Sequence, residues 1–452
     1  MDLVQEDTKK LYFKYLTAAF GSSLIGTIYG FVDMIVVGQN QGANGAAALA
    51  VIAPVWNIIY GLGLLFGIGG AVLFSIIRGR EEKQSENENE YFTIAVIAGA
   101  VVGLLCWIAL IFFDSQILSL FGANNDLLLL AVRYLQPIKF VFPTYLFGQL
   151  LAAFLRNDGN PTLATAAVLA GGIFNIFGDF FFVFSLHMGI FGAGLATALG
   201  SVLSVCIMAT HFISKKNTLK IVPIYHFWGK LKKIVAAGFS TFFVDIAMGI
   251  ITVLLNNQIL KYANADALAV YGVIVNISTC AQGCVYSIGQ AAQPIISINL
   301  GAEKWERTKS ILKYSLITAA IFAAFWTGIT MLFPVQIIKI FMSATPEVIK
   351  IAPDIIRLYC LSFLLLPINV FSTYYFQSIL KPQVAFAVSV CRGLIISGGM
   401  ILFLPVIGKE TGLWLAMPVT ELLVAAIVIY YMQKYTRALG QDSSNLSNFM
   451  GQ

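Results

Sequence analysis

Phe174-Asn175-Ile176-Phe177-Gly178-Asp179-Phe180-Phe181-Phe182-Val183 places a carboxylate and an amide inside a run of phenylalanines. Gly30-Phe31-Val32-Asp33-Met34-Ile35-Val36-Val37 does the same with a second acid. A charge at membrane depth costs roughly 2.5–3.5 kcal/mol on insertion scales, so an acid there is expected to bind a proton or cation, or to face a wet cavity. The rest of the chain says that these are membrane stretches. It is 452 residues long, 58% hydrophobic and 11% charged, with a mean hydropathy of +0.83. Soluble domains carry about 25% charged residues. Apolar segments run from Leu11 to Tyr435, so the chain reads as a polytopic membrane protein rather than a soluble domain with an anchor. No nucleic-acid partner is expected from the +6 net charge, because the basic residues cluster in short loops.

About 20 apolar residues cross the hydrocarbon core. Twelve stretches satisfy that, near 11–37, 51–77, 91–113, 127–154, 162–185, 190–213, 233–258, 267–298, 310–333, 351–379, 383–406 and 411–433. An all-α fold of twelve transmembrane helices follows. Twenty Lys and Arg fall on one side of this arrangement and four on the other, which predicts both termini in the cytoplasm of a multi-pass cell-membrane protein. The acidic stretch Glu81 to Glu90 reads as a solvated loop. The six cysteines all lie in apolar stretches and read as small hydrophobes rather than metal ligands.

The two halves echo each other. Ala46-Ala47-Ala48-Leu49-Ala50-Val51 resembles Ala265-Asp266-Ala267-Leu268-Ala269-Val270, and Ile68-Gly69-Gly70-Ala71 resembles Ile288-Gly289-Gln290-Ala291. Leu118-Ser119-Leu120-Phe121 resembles Ile338-Lys339-Ile340-Phe341 at nearly the same offset. Six spans per half make two parallel repeats, and transporters built that way hold substrate between the halves and alternate access. The expected division is a six-helix lobe over 1–213, a cytoplasmic linker over 214–232, a second six-helix lobe over 233–437 and a flexible tail over 438–452.

Position along the spans sets depth. Asp33, Asp179 and Thr197 each lie five to seven residues from the outer end of a helix, or roughly 7–11 Å at 1.5 Å per residue. Asn175 and Asp179 share a helix face as i, i+4. Asp33, Asn175, Asp179 and Thr197 can therefore form one layer. Their oxygens suit a hard cation such as Na+, while two close carboxylates equally suit a shared proton. Asp245, Glu421 and Lys139 are candidates to line a substrate cavity; the two acids could instead pair with Arg392 or Lys139. Phe140 and Phe147, beside Lys139, are candidates for an aromatic surface that attracts cations. No nucleophile-and-base or His-Glu-x-x-His pattern supports an intramembrane enzyme.

Phe31-Val32-Asp33-Met34 through Gly38, Asn175-Ile176-Phe177-Gly178-Asp179, Gly192-Ala193-Gly194-Leu195-Ala196-Thr197-Ala198 and Arg156-Asn157-Asp158-Gly159-Asn160-Pro161 together resemble the MATE (multidrug and toxic compound extrusion) family over nearly the whole chain. The resemblance implies a V-shaped two-lobe antiporter, a monomer without a resident cofactor. It would export small amphipathic, often cationic, compounds in exchange for H+ or Na+. It also implies an ion site of the N-lobe type at Asp33, Asn175, Asp179 and Thr197, with the Ala193 carbonyl as a further ligand. Span one lacks the proline at which some relatives kink. The alternative on the same architecture is a flippase or exporter of a lipid-linked saccharide.

Overall fold

The computed structural model of the protein describes residues 3–80, 87–123, 125–342 and 345–440. Among them every regular element is helical. The membrane-length helices are α1 (Thr8–Gly42), α2 (Ala47–Gly79) and α3 (Glu88–Leu120), followed by α4, which comprises Leu127–Lys139 and Pro143–Asn157 and bends by 57° between them. Next come α5 (Pro161–Ser185), α6 (Ile190–Ile213), α7 (Phe227–Tyr262), α8 (Asp266–Gly301), α9 (Trp305–Leu332) and α10 (Pro346–Ser378). The last apolar run, Pro382–Ala438, is 57 residues long. At 1.5 Å per residue it would reach about 85 Å, nearly three times a hydrocarbon core of about 30 Å. It breaks at Lys409, whose φ of 48° and ψ of −131° are not helical. It is therefore α11 (382–408) and α12 (410–438), and the spans among the described residues number twelve. Helices α1 and α2 are likewise separated at Gly42, whose φ of 66° a side chain would oppose.

The sequence boundaries fall short of the helices at most ends, because polar residues of the terminal turns continue the helix beyond the apolar core. Proline opens α5, α10, α11 and the second half of α4, where its missing N–H costs nothing and its fixed φ is already helical. Two spans contain a π-helical turn, Phe181–Ser185 in α5 and Cys391–Ile395 in α11.

The chain divides into two compact units. The first runs through Phe242 and includes Ser297–Ala302; the second holds Phe243–Ile296 and the residues from Glu303 onward. The division thus falls inside α7, not in the polar stretch 214–232. The reason is local bonding. Lys220 N donates to Asn89 Oδ1 at 2.8 Å, Val222 N to Thr93 Oγ1 at 3.1 Å and Tyr225 N to Glu90 Oε2 at 2.9 Å. The same Glu90 oxygen takes the Lys230 ammonium at 2.7 Å. Buried Asp158 accepts from Arg78 at 2.5 Å and from Thr218 N at 2.9 Å, and pairs with the His211 ring at 2.7 Å. The segment read as a linker is a strap held on the first unit. Glu90, read as part of a solvated loop, is a buried first-turn residue of α3; residues 81–86 lie outside the described residues, as does the tail from 441. The second unit is built round a core of Leu255, Val270, Ile274, Ile356, Phe363 and Trp414.

Candidate functional site

Small residues bring three helices of the first unit together. A Cβ on Gly171 would lie 2.5 Å from Gly200 O, and one on Gly200 would lie 2.7 Å from Gly171 O. Helices α5 and α6 therefore touch backbone to backbone, which sets Asn175 against Thr197. A Cβ on Gly194 would lie 2.0 Å from the Tyr134 carbonyl, so α4 also packs directly on α6 and delivers the Tyr134 ring into the same layer. Helix α1 supplies Asp33.

The hydrogen bonds run in a chain. Tyr134 Oη donates to Asp33 Oδ2 at 2.8 Å and lies 3.2 Å from Thr197 Oγ1. Asn175 Nδ2 donates to Thr197 Oγ1 at 3.0 Å, and Thr197 Oγ1 lies 3.0 Å from the Ala193 carbonyl. Two hydroxyl hydrogens serve three of these contacts, so at most two are made at once. Asp179, one turn beyond Asn175, is fully buried. Asp33 Oδ1, Asn175 Oδ1 and both Asp179 carboxylate oxygens are buried acceptors without a donor. An unsatisfied buried polar atom costs about 1–3 kcal/mol, more when charged. Asp33 Oδ1 and Asn175 Oδ1 belong to residues of this chain of contacts, and Asp179 lies one helical turn from Asn175; a proton or a small cation would relieve these stranded acceptors.

Every residue expected in this layer lies in the first unit, and Asp33, Asn175, Thr197 and the Ala193 carbonyl are joined through Tyr134 and Thr197. Tyr134 was not read from the sequence. It stands in Ala131-Val132-Arg133-Tyr134-Leu135 with nothing local to mark it, and it reaches Asp33 only because Gly194 lets α4 approach.

The candidates for substrate contact separate. Asp245 is half-buried in the second unit and accepts from Tyr286 Oη at 2.9 Å. Glu421 is fully buried; Oε1 takes the Arg392 guanidinium at 2.8–2.9 Å and Oε2 takes Asn369 Nδ2 at 2.6 Å. Glu421 therefore pairs with Arg392, as one reading expected. Arg392 and Glu421 line a second-unit cavity with Tyr271, Gln282, Tyr359 and Met417. Lys139 pairs with Asp114 of α3, a partner not considered from sequence, so it pairs with neither Asp245 nor Glu421. Phe140 is exposed and Phe147 half-buried. Among the described residues no three His, Cys, Asp or Glu side chains converge as a metal cluster, and all six cysteines are free thiols.

Known proteins resemble the chain over most of its length. The model of the MatE family matches residues 18–181 and 239–397, one segment in each half. The multidrug export protein MepA of Staphylococcus saprophyticus is 25% identical over 413 residues, covering 91% of this chain and 90% of that protein. MepA of Staphylococcus aureus is 23% identical over 424 residues, covering 91% of each. Among solved structures, an outward-facing multidrug resistance MATE family transporter of the MOP superfamily superposes with a TM-score of 0.89 at 19% identity, over 97% of this chain and 98% of that one. A MOP superfamily transporter from Pyrococcus furiosus, described as having a binding pocket of reversed polarity, gives 0.87 at 20% identity over the same shares. With both halves matched by the family model, the chain belongs to the MatE family of membrane transporters.

Proposed function

We propose that the protein is a secondary active antiporter of the cell membrane that exports amphipathic, often cationic, compounds and takes H+ or Na+ inward in exchange. The observation that carries this reading is the group of buried acceptor oxygens on Asp33, Asn175 and Asp179 that lack donors. An ion bound there neutralises charge that the fold otherwise strands. It can drive alternating access because it binds the two states with different free energies. Asp33, Asn175, Asp179 and Thr197 form the ion-coupling layer, the N-lobe type of site. The Ala193 carbonyl becomes a ligand only when Thr197 turns its hydroxyl elsewhere. The multidrug-export relatives support the substrate class and favour it over a lipid-linked saccharide. The basic-residue asymmetry supports cytoplasmic termini, and the protein acts as a monomer.

The test is ethidium efflux from proteoliposomes under an imposed H+ or Na+ gradient. Asp179→Asn keeps size and removes the titratable charge. It is expected to fold, to reach the membrane and to lose gradient-driven export by at least about a hundredfold, the scale of one to two strong charge contacts. Uphill export by this variant at normal expression would refute the reading.

A further inference from the structure

From Phe212 to Lys233 the chain contains six lysines and no acid. Lys230 is committed to Glu90, but Lys215, Lys216, Lys220 and Lys232 are exposed. Large apolar side chains alternate with them: Ile213 is 88% exposed, Ile221 67%, Tyr225 69% and Trp228 78%. A group of apolar side chains this exposed and interspersed with charges, in and beside a loop, marks an interaction or membrane surface. The backbone explains why they point outward. Residues 218, 220, 222 and 225 donate their N–H groups to Asp158, Asn89, Thr93 and Glu90. Leu219 is buried, while Ile221, Pro223 and Tyr225 are turned away. The strap is bolted on one side and presents lysines, isoleucines and aromatics on the other.

Its place in the chain says what lies there. The strap joins the end of α6 to the start of α7, so it sits where two membrane-spanning helices leave the bilayer on the same side. Tyr and Trp concentrate at that level, with the ring in the acyl boundary and the polar edge in water. Lysines at that level meet lipid phosphates.

We infer that residues 212–232 form a docking surface for anionic phospholipid headgroups. Lys215, Lys216, Lys220 and Lys232 hold the phosphates, and Ile221, Tyr225 and Trp228 seat in the adjoining acyl boundary. The inference rests on the membrane-spanning reading of α6 and α7, and on neither the direction of transport nor the coupling ion. A surface fixed to the first unit through Asp158 and Glu90 would make that unit's setting in the membrane depend on lipid charge.

The test uses the whole protein in nanodiscs of phosphatidylcholine with about 30 mol% of phosphatidylglycerol, an anionic surface that attracts lysines. Either lipid carries bromine on its acyl chains. Trp228 emission is taken as the difference between the wild type and Trp228→Phe. Brominated phosphatidylglycerol is expected to quench it roughly twofold more than brominated phosphatidylcholine at equal mole fraction, with the preference falling in high salt. The quadruple Lys→Gln variant at 215, 216, 220 and 232 is expected to be quenched equally by both lipids. Equal quenching in the wild type, or a preference that survives in the quadruple variant, overturns the inference. No quenching by either lipid also overturns it and points to a soluble partner on this surface. The reading needs no gradient, so a protein that failed to pump would still give it.

Discussion

At Asp179 both carboxylate oxygens are buried without a donor, whereas Glu421, equally buried, has both oxygens taken by Arg392 and Asn369. The contrast separates an acid placed to bind from an acid placed to hold. Glu421→Gln leaves the Arg392 guanidinium buried without its counter-charge, which costs about 3–5 kcal/mol when one partner of a buried pair is removed. Its thermal midpoint in detergent should fall clearly below the wild type, while Asp179→Asn, with no ion pair to lose, should not. Equal falls in the two variants would erase the distinction. Tyr134→Phe addresses the coupling ion. The phenol donates to Asp33 at 2.8 Å, and a hydrogen bond to the charged form of an acid competes with a proton. If H+ is the coupling ion, removing the donor should tighten its binding. If Na+ is coupled and the phenol oxygen is a ligand, the same change should weaken binding. Each shift is expected near tenfold, the worth of a hydrogen bond to a charged group. It is read as the ion concentration giving half-maximal efflux. A midpoint that does not move would remove Tyr134 from the site.

At the scale of elements, glycine decides which helices can cross closely. A Cβ on Gly238 of α7 would lie 1.9 Å from the Leu65 carbonyl of α2, and one on Gly69 of α2 would lie 2.2 Å from the Ile234 carbonyl. The start of α7 therefore belongs with the first unit although it follows the polar strap in sequence. Gly249, further along α7, has no atom within 4 Å of such a Cβ. Gly238→Ala must push the backbones apart, with an expected loss of about 1–3 kcal/mol as in other overpacked contacts. Gly249→Ala should gain up to about 1 kcal/mol of helix propensity. Thermal unfolding of the two variants beside the wild type checks the pair, and a Gly238→Ala protein as stable as Gly249→Ala would show that the crossing is loose.

For the whole molecule, the distribution of twenty basic residues against four over the twelve spans predicts the orientation. Ala123 follows α3 on the side with few basic residues. In a cysteine-free background, Ala123→Cys should react with an impermeant thiol reagent added to intact cells. Lys216→Cys, in the strap, should react only after the membrane is permeabilised. The reverse pattern would invert the protein.

Composition and apolar run length determined by themselves that the chain is a polytopic helical membrane protein, because no other element satisfies its backbone in lipid. The echo between halves and the two intramembrane acids carried the two-repeat plan and four of the candidate ion-layer residues, since depth along a span follows from counting residues. Three matters needed the tertiary structure. Tyr134 enters the layer because Gly194 admits α4, and that is a contact between residues 60 positions apart. Glu421 pairs with Arg392 and Lys139 with Asp114 because helix rotation, which a uniformly apolar span does not encode, selects which polar side chains meet. The stretch 214–232 reads as a cytoplasmic linker because lysines, Ser214, Asn217 and Thr218 interrupt its apolar residues. It is fixed instead by its backbone N–H groups, whose acceptors Asn89, Glu90, Thr93 and Asp158 lie far away in the chain.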